Sequence, residues 1–213
     1  MKIFLAFMIS LMFLVGCSST SNNNASSNNT ANENNDYNTE RLATNSEANL
    51  NSSVDNSTQI KEEPLSAFST KISQKDPDRQ NNITIACNSL NGTIVKAGET
   101  FSFCNTLGPA KPEDGYEKAD TFDSDGNTIQ AYGGGKCQVS TTLYNAVLAG
   151  SGLTVVERHE HSGPVYYVEE GMDACVSYGS CDFKFRNDNS FDIKLYFSNT
   201  PDSIDVSIVK ISS

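Results

Sequence analysis

The chain has little positive charge and few histidines, and it lacks tryptophan. Its 213 residues include 15 Lys and Arg against 26 Asp and Glu, which gives a formal net charge of -11 at pH 7. Such a chain is repelled by phosphate backbones and anionic headgroups, so nucleic acid is not expected as a partner. The two histidines, His159 and His161, are the only imidazoles that a reaction could use.

The N-terminus carries the one conspicuous apolar run, Ile3 to Val15, preceded by Lys2. This run is typical of a signal peptide and is too short to span a bilayer. It ends at Gly16-Cys17 without the small-x-small cleavage site of ordinary secretory signals. The junction resembles the lipobox of bacterial lipoproteins, in which the cysteine is diacylated and the chain is cut before it. The sequence therefore predicts a signal peptide over 1–16 and lipidation of Cys17, unless the cysteine is there by accident.

The segment after Cys17 is dominated by Asn, Ser and Thr, and Tyr37 is its only aromatic residue before position 60. Such a segment has too little apolar surface to offset the entropy of ordering it. We expect a disordered linker over residues 17–63, with a root-mean-square span of about 35–40 Å. It would tether a single folded domain, residues 64–213, to the outer face of the bacterial cytoplasmic membrane.

The folded part is predicted to be α+β, with a few helices early and a mainly antiparallel sheet late. The Asp76-Pro77-Asp78 stretch is interpreted as a turn, and the Asp125-Gly126-Asn127 stretch as a hairpin turn within 119–129. The predicted helices are 81–90 and 138–149; the predicted strands are 93–95 and 99–103, joined at 96–98, then 153–158, 165–168, 174–177, 181–186, 191–197 and 203–211.

The Gly133-Gly134-Gly135 stretch directly precedes the second helix and indicates that something approaches the backbone closely. Cys137 then lies in the first turn of the helix, where unpaired amides and the macrodipole favour an anion and lower a thiol pKa. Lys136 acts in the same direction. A thiolate there would be a nucleophile, and neighbouring N–H groups could stabilise an oxyanion. The alternatives are a phosphate-binding or plain loop and a cysteine that is only a small buried hydrophobe.

The two histidines occur as His159-Glu160-His161, and a cysteine nucleophile needs such a base. The His-x-His pattern also suits a metal, which Glu157, Glu160 or a cysteine could complete. No second pair of ligands stands at metal-binding spacing, so neither a metal nor another cofactor is predicted.

Three long motifs give the chain a family resemblance. They are Gly-Gly-Gly-x-Cys-Gln-Val-Ser-Thr-Thr-Leu-Tyr-Asn-Ala (133–146), Glu-Arg-x-x-His-Ser-x-Pro-Val (157–165) and Gly-x-Asp-Ala-x-Val-Ser-Tyr-Gly (171–179). They resemble the VanW-like domain, and shorter matches at 91–93, 98–103, 108–109 and 115–116 extend the resemblance over residues 64–200.

The resemblance implies a function, because some VanW-domain proteins are peptidoglycan L,D-transpeptidases that use a cysteine in the Gly-rich motif. It assigns Cys137 as the nucleophile, His161 as the base and Asp173 as the residue that orients the base. Arg158 is the candidate to pair with a substrate carboxylate. The other substrate-binding candidates are Gly133, Gly134, Gly135, Gln138, Ser140, His159 and Tyr178.

The chain departs from the family pattern at Cys87, Cys104, Cys175 and Cys181. In an exported protein these residues suggest one or two disulfides of undetermined connectivity, whereas a reducing habitat would leave them as thiols. A disulfide that included Cys137 would block catalysis until it was reduced.

Two function hypotheses follow. The first is an enzyme of the cell envelope that acts on peptidoglycan stem peptides and forms 3→3 cross-links through a thioester, or hydrolyses that thioester. The second is a non-catalytic lipoprotein that binds peptidoglycan or takes part in a glycopeptide response.

The lipid anchor is testable at Cys17. Cys17→Ala, or treatment with globomycin, is expected to leave an unprocessed or mislocalised precursor, because the diacylated thiol is both the processing signal and the anchor. Immunoblots of membrane and soluble fractions measure this. Normal processing and membrane retention of the variant would rule out lipidation.

Overall fold

The computed structural model describes residues 61–212. The predicted signal peptide, the lipidation site Cys17 and the linker up to residue 60 lie outside the described residues. Within residues 61–212, no helix is both long and apolar enough to cross a membrane. The first described strand begins at Lys61, three residues before the predicted start of the domain.

The described chain contains three α-helices and nine strands. The helices are α1 (Pro77–Leu90), α2 (Phe103–Leu107) and α3 (Lys136–Ala149), with a short 3-10 turn at Pro112–Asp114. The strands are β1 (Lys61–Lys71), β2 (Ile94–Val95), β3 (Thr100–Ser102), β4 (Lys118–Phe122), β5 (Thr128–Tyr132), β6 (Leu153–Glu157), β7 (Lys184–Asn187), β8 (Asp192–Asn199) and β9 (Ser203–Ser212).

The strands form three sheets in which every pairing is antiparallel. One sheet has the order β1-β9-β8-β2, the second has the order β3-β7-β6, and β4 with β5 forms a separate hairpin. The α+β prediction is thereby confirmed. The hairpin closes through residues 123–127, as its Asp-Gly-Asn sequence predicted.

The core lies between the four-stranded sheet and helices α1 and α3. Alternate residues of β8 and β9 point into it and are buried, as the period of two along a strand requires. Helix α1 contributes the apolar face predicted from its spacing, and α3 contributes Val139, Leu143, Ala146 and Val147. Burial of these two faces against one sheet fixes the start of α3, where Cys137 lies.

Helix α1 begins four residues before the predicted start at residue 81. The Asp76-Pro77 pair is a helix start and not a free turn, because the Asp76 side chain accepts a hydrogen bond from the Arg79 N–H at 2.8 Å. Pro77 occupies the first helical turn, where its missing N–H has no cost. The earlier start brings Arg79 into the helix, beside the Gly-rich stretch.

Two predicted strands are absent from the described chain, and two others pair differently from the prediction. The two early strands do not pair with each other, since β2 joins β8 and β3 joins β7, and Phe103 belongs to α2. Residues 165–168 and 174–177 form no strand. The physical reason is clearest at Ala174, whose backbone bonds to Ser140 and Thr141 of α3 instead of to a neighbouring strand.

The three glycines before α3 pack against other parts of the protein. A Cβ atom on Gly134 would lie 2.7 Å from the carbonyl oxygen of Ala119 and 2.8 Å from that of Asp120, both in β4. Gly133 and Gly135 have positive φ angles of 79° and 110°, which L side chains rarely adopt. The sequence predicted that another group lies close to this backbone, and at Gly134 that group is strand β4.

Gly134→Ala is expected to destabilise the fold by about 1–3 kcal/mol, because the added methyl group meets rigid backbone and not a side chain that can move aside. Thermal or denaturant unfolding measures the change. Leu148→Ala is the matched control, since Leu148 is half exposed on the same α3 helix and its truncation should cost less than about 0.5 kcal/mol. Equal stability of Gly134→Ala and the wild type would contradict the packing argument.

Candidate active site

A cleft of about 770 Å³ opens beside the start of α3. Its walls are the β4–β5 hairpin and the segments 159–167 and 175–181. The volume suits a ligand of small-molecule or short-peptide size. Exposed aromatic side chains on the walls offer apolar contact area; they are Tyr132, Tyr166 and Tyr178.

Cys137 lies at the second position of α3 and lines this cleft. The first N–H groups of a helix have no intrahelical acceptor. Those of Lys136 and Gln138 donate to Gly133 and Gly135 carbonyls at 3.2 and 3.0 Å, whereas the Cys137 N–H has no acceptor among residues 61–212. The Val176 N–H also approaches the Cys137 Sγ, at 3.5 Å. Two N–H groups thus converge near the thiol.

His161 lies across the cleft from α3. Its Nδ1 is 2.6 Å from Asp173 Oδ2, and its backbone N–H donates to the same oxygen at 2.7 Å. That pairing leaves Nε2 as the free ring nitrogen. A ring nitrogen of His161 and the sulfurs of Cys137 and Cys175 all lie within 4.8 Å of one another, without a formed hydrogen bond between Cys137 and His161. Such loose spacing is usual before a substrate binds.

Arg158 holds Asp173 in place. Its Nε donates to the Asp173 carbonyl at 2.6 Å, and its Nη2 donates to Asp173 Oδ1 at 2.8 Å and to the Gly171 carbonyl at 2.9 Å. Nη1 pairs with Glu160, and the guanidinium stacks over the Tyr144 ring. Arg158 is outside the residues that line the cleft. The structure thus places the predicted carboxylate-binding residue behind the histidine, where it positions Asp173.

These groups shift one another's pKa values. The Cys175 thiol and the His161 imidazole, both close to the sulfur, hold the pKa of Cys137 well below its usual range, although burial opposes them. Burial acts to lower the pKa of His161, but Cys137 and Asp173 outweigh it and the pKa is raised. The pKa of Asp173 is lowered, because His161 and Arg158 outweigh the burial of the carboxyl. The arrangement favours a Cys137 thiolate beside a His161 imidazolium.

The additional cysteines are all free thiols. Cys175 stays protonated, since the nearby Cys137 sulfur and burial both raise its pKa. Its sulfur is 3.6 Å from that of Cys181, so the two thiols are in contact without a covalent bond. Cys87 and Cys104 are buried, and desolvation raises the pKa of each to about 12. The disulfide suggested by the cysteine content is therefore not formed among residues 61–212.

A metal ligand set exists at the same place. Cys137, His161 and Cys175 each offer one ligand atom within a span of 4.8 Å, and sulfur and imidazole are zinc ligands. The set contains the predicted nucleophile and base. His159, the other half of the His-x-His pattern, is outside it and bonds Glu157 through Nε2 at 2.9 Å.

Comparison with known proteins identifies the family. The family model described as VanW like protein matches residues 78–209, more than half of the chain. The chain belongs to the VanW-like family.

Two curated relatives match the VanW-like domain. The uncharacterized protein YoaR of Bacillus subtilis is 37% identical over 128 residues, which cover 60% of this chain and 42% of the relative. The vancomycin B-type resistance protein VanW of Enterococcus faecalis is 35% identical over 112 residues, which cover 50% of this chain and 40% of the relative. The chain spans less than half the length of each relative it matches. No solved structure matches.

The remaining predicted site residues of this VanW-like domain divide into two groups. Gly133, Gly134 and Gly135, His159 and Tyr178 line the cleft. Ser140 is fully buried and donates to the Ala174 carbonyl, which places it behind the nucleophile. Gln138 reaches the edge of the cleft, but its amide group bonds to Arg79, Thr70 and Lys71.

Sequence reasoning missed two residues of the cleft. Cys175 was noted only as a departure from the family pattern, and its contact with the Cys137 sulfur follows from a loop that no periodicity describes. Arg79 was missed because the turn interpretation at Asp76–Asp78 placed it outside the helix. Recognition of an N-cap followed by proline would have put Arg79 on α1, three residues after the cap.

The ion pair predicts the pH dependence of thiol alkylation. The thiolate is the reactive form and its fraction rises with pH through the pKa, so Cys137 is expected to react with iodoacetamide at pH values where an ordinary thiol is protonated. His161→Ala removes a cation that favours the thiolate and should move the midpoint of the rate profile to higher pH. Timed alkylation followed by peptide mass mapping measures each cysteine separately.

The matched control is His159→Ala, which removes an exposed imidazole that faces Glu157. This variant should leave the profile of Cys137 unchanged. Cys87 and Cys104 serve as internal references, since both should remain unreactive until the protein unfolds. Equal shifts in the two histidine variants would refute the assignment of His161.

Proposed function

We propose that this chain is a cell-envelope lipoprotein that acts on peptidoglycan stem peptides as a cysteine L,D-transpeptidase. The observation that carries the proposal is the grouping of Cys137, His161 and Asp173 at one cleft. The nucleophile is at a helix start, the imidazole is oriented by a buried carboxylate, and N–H groups lie beside the sulfur. Nucleophile, base and orienting group are the parts that acyl transfer through a covalent intermediate needs.

In the acylation step, the Cys137 thiolate attacks the carbonyl carbon of the third stem-peptide residue. The negative charge that develops on the carbonyl oxygen is stabilised by the free Cys137 N–H and the Val176 N–H. The C–N bond to the terminal D-Ala then breaks. The leaving amine takes a proton from the His161 imidazolium, and a thioester to Cys137 remains.

In the second step, an amine on a neighbouring stem peptide attacks the thioester. Neutral His161 accepts the proton of that amine, the C–S bond breaks and the Cys137 thiolate is regenerated beside the imidazolium. The product is a 3→3 cross-link. Water in place of the amine would release the free peptide acid, so the partition between the two outcomes depends on access of the acceptor to the cleft.

The shape and position of the site support this substrate class. The cleft is lined by exposed tyrosines and has the volume of a short peptide, which suits a peptide substrate. The lipid anchor proposed at Cys17 and the linker after it would place the domain in the wall layer outside the membrane. The name of the Enterococcus faecalis relative refers to vancomycin resistance, and a role for this chain in that process is part of the proposal.

The decisive test is a covalent adduct. The full chain, purified in detergent and mixed with tetrapeptide-bearing muropeptides, is expected to gain the mass of the muropeptide less D-Ala on Cys137 and to release 3→3 dimers. Intact-mass and peptide mass spectrometry measure the adduct, and chromatography measures the dimers. Cys137→Ser should eliminate both, because a serine hydroxyl is almost fully protonated at neutral pH.

Cys175→Ser is the matched control, since it changes a thiol of the same cleft that the chemistry does not acylate. It should retain the adduct on Cys137, because the serine changes neither the nucleophile nor its histidine. Activity that requires added zinc and is abolished by a chelator would favour the metal interpretation of the same residues. Binding of muropeptides without adduct or dimer would instead favour the non-catalytic binding hypothesis.

A further inference from the structure

Arg79 is a buried cation on a wall of the cleft. The residue is 7% exposed and lies among the residues that line the cleft. Its stem packs on the Gly-rich turn, where a Cβ atom on Gly135 would be 3.2 Å from the Arg79 Cγ. Gly135 is two residues before Cys137, so the guanidinium lies on the side of the cleft next to the nucleophile.

The guanidinium is only partly satisfied by the protein. Nη2 donates to the Gln138 Oε1 at 2.8 Å. Nε is buried without a hydrogen-bond partner, and it is the one such side-chain atom in the described part of the chain. A buried donor without an acceptor costs about 1–3 kcal/mol, and more when it carries charge. The unpaired donor belongs to a residue that lines the cleft, so a bound ligand can interact with the same guanidinium.

No carboxylate within residues 61–212 pairs with Arg79. The Cys137 thiolate, Asp120 and Asp76 act on it only through longer-range electrostatics. Asp76 is bound to the Arg79 backbone N–H as the helix cap, and Asp120 accepts from Gln130. Tyr167, another neighbour, stays neutral because burial raises its pKa. A buried guanidinium without a hydrogen-bonded anion has an uncompensated desolvation cost, which a bound anion would reduce.

Building on the proposed function, we infer that Arg79 binds a carboxylate of the stem peptide whose carbonyl Cys137 attacks. A guanidinium can donate N–H bonds to a carboxylate, and Nη1 is free for this, since among residues 61–212 only Nη2 has a hydrogen-bond acceptor. In a tetrapeptide the terminal carboxylate belongs to the leaving D-Ala, next to the scissile bond, and other carboxylates occur along the stem. Either source provides the same chemistry. The role expected of Arg158 from the sequence is thereby assigned to Arg79.

The test measures binding, so it does not depend on turnover. The full chain with Cys137→Ser is titrated by calorimetry with three tetrapeptide stems: the free acid, the C-terminal amide, and a stem amidated at its internal carboxylate. Loss of the bound carboxylate should weaken binding by about 10- to 100-fold, the range for a hydrogen bond to a charged group. The stem that loses affinity identifies which carboxylate Arg79 binds.

Arg79→Met in the same background separates ligand binding from folding. Methionine keeps most of the apolar stem and removes a buried charge, which offsets the loss of the bond to the Gln138 Oε1, so the melting temperature should change little. The Arg79→Met variant should bind the free acid as weakly as the protein with Arg79 binds the amidated stem that lost affinity. Amidation of the stem should not weaken binding to the variant any further. Arg158→Met is the contrasting change, and it should lower the melting temperature because Asp173 loses its partner.

The proposal is overturned if all three stems bind equally, if none binds, or if amidation weakens binding as much in Arg79→Met as with Arg79 present. The covalent adduct on Cys137 is measured separately with the intact thiol. An adduct together with equal binding would refute the role of Arg79 and leave the transpeptidase proposal standing. Selective binding without any adduct would support the role of Arg79 and refute the transpeptidase proposal.

Discussion

The carboxylate of Asp173 accepts three hydrogen bonds from two residues of one loop, Arg158 and His161. One oxygen binds both the backbone and the ring of His161, and the other binds Arg158. These bonds hold the loop from 158 to 161 against the loop that contains Asp173, although neither loop is part of a sheet there. Because the carboxylate is buried, removal of one partner would leave an uncompensated charge, which is more costly than the loss of an exposed pair. The direction of the imidazole therefore depends on this carboxylate.

The remaining parts of the site are arranged around that fixed imidazole. Helix α3 brings the thiol from the opposite side, and Ser140 and Thr141 of the same helix bond the backbone of Ala174, the residue after Asp173. The loop that orients the base is thus joined directly to the helix that carries the nucleophile. Polar groups buried for this purpose contribute little to net stability but define a single geometry. Catalytic groups held in this way need little reorganisation when a substrate arrives.

Much of the fold could be predicted from local sequence. The apolar spacing of the two long helices, the Asp-Gly-Asn turn and the alternation in β8 and β9 each reflect a period or a turn chemistry that depends on a few neighbouring residues. Pairing between strands could not be predicted in the same way. β2 and β3 are adjacent in sequence yet join different sheets, because their partner strands begin more than 80 positions later. The apolar clusters at 165–168 and 174–177 are typical of strands, but neither forms one, and the backbone of 174–177 bonds to loops and to α3.

The candidate nucleophile and base could be predicted from the family motifs. The roles proposed for the two arginines depend on contacts that only the folded structure shows. Arg158 carries a charge suited to a carboxylate, and the sequence gives no indication that the carboxylate it meets is the protein's own Asp173. Arg79 stands outside every motif, and its importance follows from burial without a partner, which only tertiary packing creates. Cys175 illustrates the same limit, since it is 38 residues from Cys137 in sequence and reaches the same sulfur through a loop.

The contact between Gly134 and strand β4 bears on how variation in this family should be interpreted. A methyl group at that position meets the backbone carbonyls of Ala119 and Asp120 whether or not the protein catalyses anything. A relative that had lost its nucleophile would still need glycine there to fold. Retention of this glycine among relatives would therefore reflect selection for folding. Loss of the thiol or the imidazole is what would distinguish inactive relatives from active ones.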